Sequence, residues 1–234
     1  SGTNTNAGLI ELKDSGSSGT AKLSTSEGSI TNSGTIQALV GLGGNRIIDL
    51  PVTNTGTITV DANTNLDLGN TVNNANGDVN LGVSSSLTIS GASFVRLENN
   101  SGGNIELGDS ASIDLDTNGR LKLDGGTFSL TGSSALINLS TGGAIDVGSG
   151  GGTILDTMDV NFNGTNGGII GSGTLAVEGG GAIVVASDTT FSGTGLDVSL
   201  KSNSDLVLDD VTTLTVQSGA MLTLDGGEVS VFSF

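Results

Sequence analysis

Read for hydrophobic and polar positions alone, the chain repeats one short unit: an apolar residue, a variable one, then a second apolar residue. From Ile58 onward the pairs follow closely, among them Ile58/Val60, Leu66/Leu68, Val79/Leu81, Leu87/Ile89, Ile113/Leu115, Leu121/Leu123, Ile145/Val147, Val160/Phe162, Ile183/Val185 and Leu206/Leu208. Alternation with period two is the mark of a strand with one buried face, and helical spacing is nowhere sustained. The units recur about every eight residues. Between them lie clusters such as Asn76-Gly77, Asn118-Gly119, Gly125-Gly126, Gly142-Gly143 and Gly226-Gly227, residue types that accept left-handed backbone and turn the chain.

Strands of about three to five residues are too short to build a sandwich, but they suit a solenoid in which each rung pairs with rungs above and below. The segment Thr31-Asn32-Ser33-Gly34-Thr35-Ile36-Gln37-Ala38 returns, displaced from Thr31 to Thr53, as Thr53-Asn54-Thr55-Gly56-Thr57-Ile58-Thr59-Val60. The expected architecture is therefore an all-β, right-handed parallel β-helix with about three strands per coil of roughly 22 to 24 residues. About ten coils at ~4.8 Å each make a rod of roughly 50 Å. Leu121-Lys122-Leu123-Asp124-Gly125-Gly126 recurs as Leu222-Thr223-Leu224-Asp225-Gly226-Gly227, an interval that is no multiple of the first, so coil length must vary. No composition shift marks a boundary: residues 1–234 read as one continuous solenoid, with 1–52 a less regular start.

The middle residues of the units, including Asp67, Asn80, Arg96, Glu106, Asp114, Lys122, Asn138 and Asp146, are mostly polar and are expected to face solvent. Asn and Thr at the turns suit ladders of side-chain hydrogen bonds between coils. Phe94, Phe128, Phe162, Phe191, Phe232 and Phe234 are expected in core stacks or end caps rather than as ligand platforms.

Seven basic residues against 24 acidic ones give a net charge of −17, and from Leu123 onward Lys201 stands alone against twelve carboxylates. That balance disfavours nucleic acid and anionic membranes as partners. No apolar run approaches the roughly 20 residues that span a bilayer. Histidine and cysteine are absent, which removes Ser-His-Asp and Cys-His catalysis, disulfides and thiolate metal sites. The chain starts at Ser1 with no charged and apolar leader, as expected of a mature or excised piece.

Two chemical readings remain. Asp114-Leu115-Asp116-Thr117-Asn118-Gly119 has the alternating oxygen ligands and glycine turn that open a calcium loop, making Asp114, Asp116 and Asn118 the candidate metal ligands. The position of the closing glutamate is Gly125, and Leu115 continues the apolar rhythm, so the stretch reads equally as a strand entering an Asn-Gly turn. Paired carboxylates, such as Asp114 with Asp116 or Asp209 with Asp210, keep open a carbohydrate-active enzyme or a phage-spike-like depolymerase. The absence of Trp and Tyr weighs against a sugar cleft.

The Asn-Ser/Thr-Gly-Thr-Ile motif and the Leu-x-Leu rungs with Gly-Gly turns resemble the passenger regions of autotransporter and filamentous-haemagglutinin-like adhesins. The resemblance covers most of the chain as rhythm and implies secretion, a β-helix and an adhesive or scaffolding role at the bacterial cell surface. On that reading the chain is not an enzyme and needs no cofactor beyond possible calcium. Its partners are further copies stacked end to end or the rest of a longer solenoid, with cell-surface glycans or proteins as ligands.

Overall fold

The computed structural model describes residues 2–14, 19–91, 94–130, 134–154 and 158–232. Phe234, and with it one of the expected aromatic caps, lies outside them. Among the described residues there is no helix, and thirty short strands run from β1 (Thr3–Asn6) to β30 (Glu228–Phe232). Every third strand belongs to the same face. Face one holds ten strands from β1 to β28 (Leu214–Val216), and face three holds ten from β3 (Thr20–Ser24) to β30. Face two is divided into a run of six, from β2 (Leu9–Leu12) to β17 (Thr127–Leu130), and a run of four, from β20 (Gly152–Ile154) to β29 (Met221–Asp225). Neighbouring strands pair in parallel with their equivalents one coil away, for example Leu66 with Leu87 and Leu87 with Ile113. The result is a β-solenoid of about nine turns.

Coil length varies, as the mismatched recurrence required. On face one the step from Asn6 to its partner Asn32 is 26 in sequence, and from Asn32 to Asn54 it is 22. The step from Asn54 to Asn74 is 20, and from Asn74 to Asn99 it is 25. Leu97, Leu121, Ile145 and Ile169 then follow one another at a constant interval. The repeat that begins at Thr31 and Thr53 is one of these registers, Asn32 on Asn54 and Ile36 on Ile58. The later recurrence is of another kind. Leu121 sits in β16 (Gly119–Asp124) on face one, whereas Leu222 sits in β29 on face two. The two copies share a local device, not a face: in each, the Gly after Asp has positive φ and forms an isolated bridge to the coil below, Gly125 to Asn100 and Gly226 to Lys201.

The alternation predicted from sequence becomes burial. In β8 (Thr57–Val60), β12 (Ser86–Ile89) and β15 (Ser112–Leu115) the second and fourth residues are buried and the others half-exposed. Stacking turns these pairs into columns of Leu, Ile and Val that form one cluster from Leu12 to Leu206. Three of the phenylalanines join it: Phe128, Phe162 and Phe191, the last two with ring centroids 6.2 Å apart. Phe94 and Phe232 are exposed, and Phe94, far from either end, departs from the expectation of core stacks or end caps. Phe232 lies in the last described coil, and Phe94 precedes the first residue of β13 (Val95–Asn100).

A second column is polar and fully inside. At the corner from face one to face two, Asn6, Asn32, Asn54, Asn74 and Asn99 occupy inward positions, all buried. Each Nδ2 donates to the Oδ1 of the next asparagine, at 2.7, 2.7, 2.8 and 3.0 Å in turn. Each also donates to a backbone carbonyl of the next coil, as Asn32 does to Thr57 O at 3.0 Å and Asn99 to Thr127 O at 2.7 Å. All the amides therefore point the same way along the axis. The glycines that follow them are part of this device: a Cβ on Gly56 would collide with the carbonyl oxygen of Gly34, and one on Gly103 would come within 2.8 Å of Asn74 Nδ2. One coil further on, Leu123 takes the place of asparagine and the corner becomes apolar. The division of face two falls at the same level.

A charged residue also lies inside. Arg46 is in register with Leu66 and is buried; its guanidinium donates to Leu39 O at 2.9 Å and to Gly44 O at 2.5 Å. The buried Asp14 carboxylate accepts from Gly44 N at 2.6 Å, and a Cβ on Gly41 would press on both side chains. An arginine at a core position is thus tied to the irregular turn that precedes β6 (Asn45–Asp49), which is why the rhythm reads poorly before residue 53.

Candidate functional site

The outward residues of stacked strands form columns with neighbours one strand spacing, about 4.8 Å, away. On face three the column runs Asp67, Thr88, Asp114, Asn138, Asn161. It is hydrogen-bonded in series: Asn161 Nδ2 donates to Asn138 Oδ1 at 3.3 Å, and Asn138 Nδ2 to Asp114 Oδ1 at 2.7 Å.

This column contains the first of the three candidate calcium ligands. Asp114 also accepts from Ser112 Oγ at 3.0 Å through its other oxygen, so both carboxylate oxygens have donors within the chain. Asp116 lies in the turn after β15, where its carbonyl accepts from Gly119 N at 2.6 Å. Asn118 adopts the left-handed conformation, φ 60°, and its side chain donates to Gly91 O at 3.4 Å. The stretch is a strand running into an Asn-Gly turn. Among the described residues no group of three or more acidic side chains is placed to share a metal ion, and a cation here would compete with Asn138 and Ser112 for Asp114.

Burial raises the Asp67 carboxyl above the usual aspartate range, and the charge of Asp116 adds to the effect. A raised carboxyl pKa in the folded state means stability that is present below the unfolded value and is lost as pH rises through the folded value. Asp67→Asn is therefore expected to stabilise the chain slightly at pH 7, by under about 0.5 kcal/mol for so partly exposed a group, and to make no difference in acid. Urea titrations at pH 7 and pH 3 check both signs. Asp159, likewise raised by burial, is partly offset by the hydrogen bond from Ala182 N. Asp124 is shifted the other way, chiefly because Gly150 N donates to it, with Lys122 helping.

Among the described residues, shallow depressions interrupt the faces. One of about 460 Å³ lies where face two divides, lined by Gly125 to Phe128, Gly150 to Thr153 and Glu178. Another, of about 490 Å³, is lined by hydroxyls and amides: Thr165, Asn166, Thr189, Thr190, Thr213 and Thr215, with Asp188. A third, about 310 Å³, brings Asp61 and Glu106 to one place beside Asn80, with Asp61 held by Gln37 Nε2 at 2.8 Å. Sequence reasoning singled out Asp114/Asp116 and Asp209/Asp210 as carboxylate pairs and missed Asp61/Glu106. Their signal is the two-coil register, since Glu106 stands on Asn80 and Asn80 on Thr59.

The cations are distributed unevenly. Lys22 pairs with Asp49 at 2.6 Å, Lys122 with Asp124 at 3.3 Å and Lys201 with Asp225 at 2.7 Å, while Arg96 reaches Glu98 only at 3.6 Å. Arg120 lies over the ring of Phe94, 4.4 Å from its centroid. No protein family, curated protein or solved structure matches the chain.

Proposed function

We propose that the chain is a structural or adhesive rod of an extracellular bacterial surface protein, extended end to end by further copies of itself or by further coils of a longer solenoid. The observation that carries this reading is the last described coil. Its inward positions hold Val216, Leu224, Val229 and Val231, all exposed, beside exposed Phe232. One coil earlier the same columns hold Phe191, Leu200 and Leu206, all essentially inaccessible, with Leu208 half-buried. Among the described residues, strands β28, β29 and β30 are each the last of their sheets. This surface is half of a core and half of three parallel ladders, the kind of edge that templates pairing.

The first coil offers a partial complement. Ile10 and Leu12 stand at inward positions on face two and Ala21 and Leu23 on face three, whereas face one offers Asn4 and Asn6. Apolar surface thus meets apolar surface on two faces out of three. The shared rhythm with secreted adhesin passengers and the short polar side chains of the lateral columns support the extracellular setting.

Sedimentation velocity across a concentration series tests the assembly. The chain is expected to associate with rising concentration, and Val231→Lys with Phe232→Asp to hold it at the monomer; both residues are more than half exposed, so the substitutions leave the fold unchanged. A chain that stays monomeric over the whole range contradicts extension by further copies.

A further inference from the structure

Along most outward columns like charges are kept apart: Thr88 separates Asp67 from Asp114, and Lys122 stands between Glu98 and Asp146. The paired strands bring two like-charged pairs face to face. One is Asp205 with Glu228 in the last coil, unsurprising in so acidic a chain. The other is Arg96 with Arg120, adjacent on face one, in a protein with only seven basic residues. Like charges directly opposite on neighbouring strands destabilise a sheet.

The environment does not neutralise them fully. Among the described residues no hydrogen bond or ion pair reaches the Arg120 guanidinium, and its Nη1 is buried without a partner. Its neighbour is the Phe94 ring, which is 57% exposed, an unusual position for one of six aromatic residues in the chain. Glu98 engages Arg96 loosely, and Lys122 is occupied by Asp124. Two arginines in register beside an exposed aromatic ring, one of them without an ionic partner among the described residues, stand out on a chain of net charge −17.

We propose that Phe94, Arg96 and Arg120 bind a carboxylated sugar. A guanidinium matches a carboxylate with two parallel hydrogen bonds, and an exposed ring gives the apolar face of a pyranose a flat surface on which to lie. The occupant follows from the balance of local and global charge. A dense polyanion is repelled by the acidic skin at distances up to the Debye length, about 8 Å at physiological salt, whereas a saccharide carrying one carboxylate per residue or fewer meets mainly the local cations. The inference goes beyond the assembly reading, since a chain that never stacked would still bind.

The test titrates the full chain with sialyllactose and with digalacturonate, using lactose as the neutral control and acetate as the bare carboxylate, followed by heteronuclear NMR. At least one of the two acidic saccharides is expected to bind saturably in about the millimolar range. Lactose and acetate are expected to be at least tenfold weaker. Arg120→Gln and Phe94→Ala are each expected to weaken binding at least fivefold while circular dichroism stays unchanged; Phe94→Ala, at an exposed position, guards against a misfolded Arg120 variant. Absence of saturable binding by both saccharides overturns the proposal. So does acetate binding as tightly as they do, or affinity indifferent to both substitutions.

Discussion

Asn54→Ala is expected to cost about 3 kcal/mol, far more than a polar-to-alanine change on a solenoid surface. Asn54 is fully buried, accepts from Asn32 Nδ2 at 2.7 Å, and donates to Asn74 Oδ1 at 2.8 Å and Asp78 O at 3.1 Å. Removing it leaves donors and acceptors inside the core where water does not replace them, at about 1–3 kcal/mol for each unsatisfied group. Asn32 keeps its bond to Thr57 O, which limits the loss. Asn54→Asp sharpens the test, because shape is retained while the donor is lost and a carboxylate faces two acceptors. Burial raises the folded pKa of the introduced carboxyl, so the variant regains stability as pH falls through that value and is weakest at neutral pH. Urea unfolding at pH 7 and pH 4.5 measures both effects. The external counterpart, Asn138→Ala, breaks a similar ladder in contact with water and is expected to change stability by less than about 0.5 kcal/mol.

Phe162→Ala has the second large effect. Phe162 closes β21 (Asp159–Phe162) on face three, Phe191 lies in β25 (Thr189–Ser192) on face one, and both are inaccessible to solvent. Truncating either ring is expected to cost about 3–5 kcal/mol through lost burial and the cavity left behind. The double variant should cost less than the two singles together, by about 0.5–1.5 kcal/mol, because the ring contact is lost only once. In a stack of coils each unit leans on its neighbours, so the damage is local. Amide hydrogen exchange should show protection falling first in β21 and β25 and persisting in the asparagine-laddered coils.

These two sites differ in how far they were legible beforehand. Phe162 belongs to a Val-x-Phe unit in the short-period rhythm, and period two alone places it inward. The asparagines break that rule: Val52-Thr53-Asn54 and Val72-Asn73-Asn74 put a polar residue at the second inward position, where a pattern of apolar pairs passes over it. The clue was present in another form, as asparagine followed closely by glycine in Asn32-Ser33-Gly34 and Asn54-Thr55-Gly56. Read locally that is a turn signal, and it suits a ladder between coils; which asparagines stack, and that they point inward, becomes visible only once the register sets one copy on the next. Arg46 was hidden for the same reason, since an arginine at an inward position looks like a break in the pattern.

Assignment of strands to faces also needed the structure, because coils whose steps range from 20 to 26 in sequence drift out of phase with any fixed repeat. Leu121 and Leu222, alike in local sequence, lie on different faces for this reason. The candidate calcium stretch was ambiguous in sequence because alternating carboxylates serve equally as ligands and as the outward residues of a strand. In the fold Asp114 is a rung of an external ladder. The arginine pair is a product of register too: a whole coil of sequence separates Arg96 from Arg120, and nothing local connects them.

The central claim, that this solenoid is a rod lengthened by stacking coil on coil, is tested most directly by electron microscopy of the purified chain at rising concentration and at two salt strengths. The account predicts rods whose lengths are multiples of one chain, roughly 45 Å for about nine turns, with the axial spacing of about 4.8 Å unbroken across each junction. It also predicts longer rods at higher salt, where repulsion between chains of net charge −17 is screened. Particles of a single chain's length under every condition would contradict it.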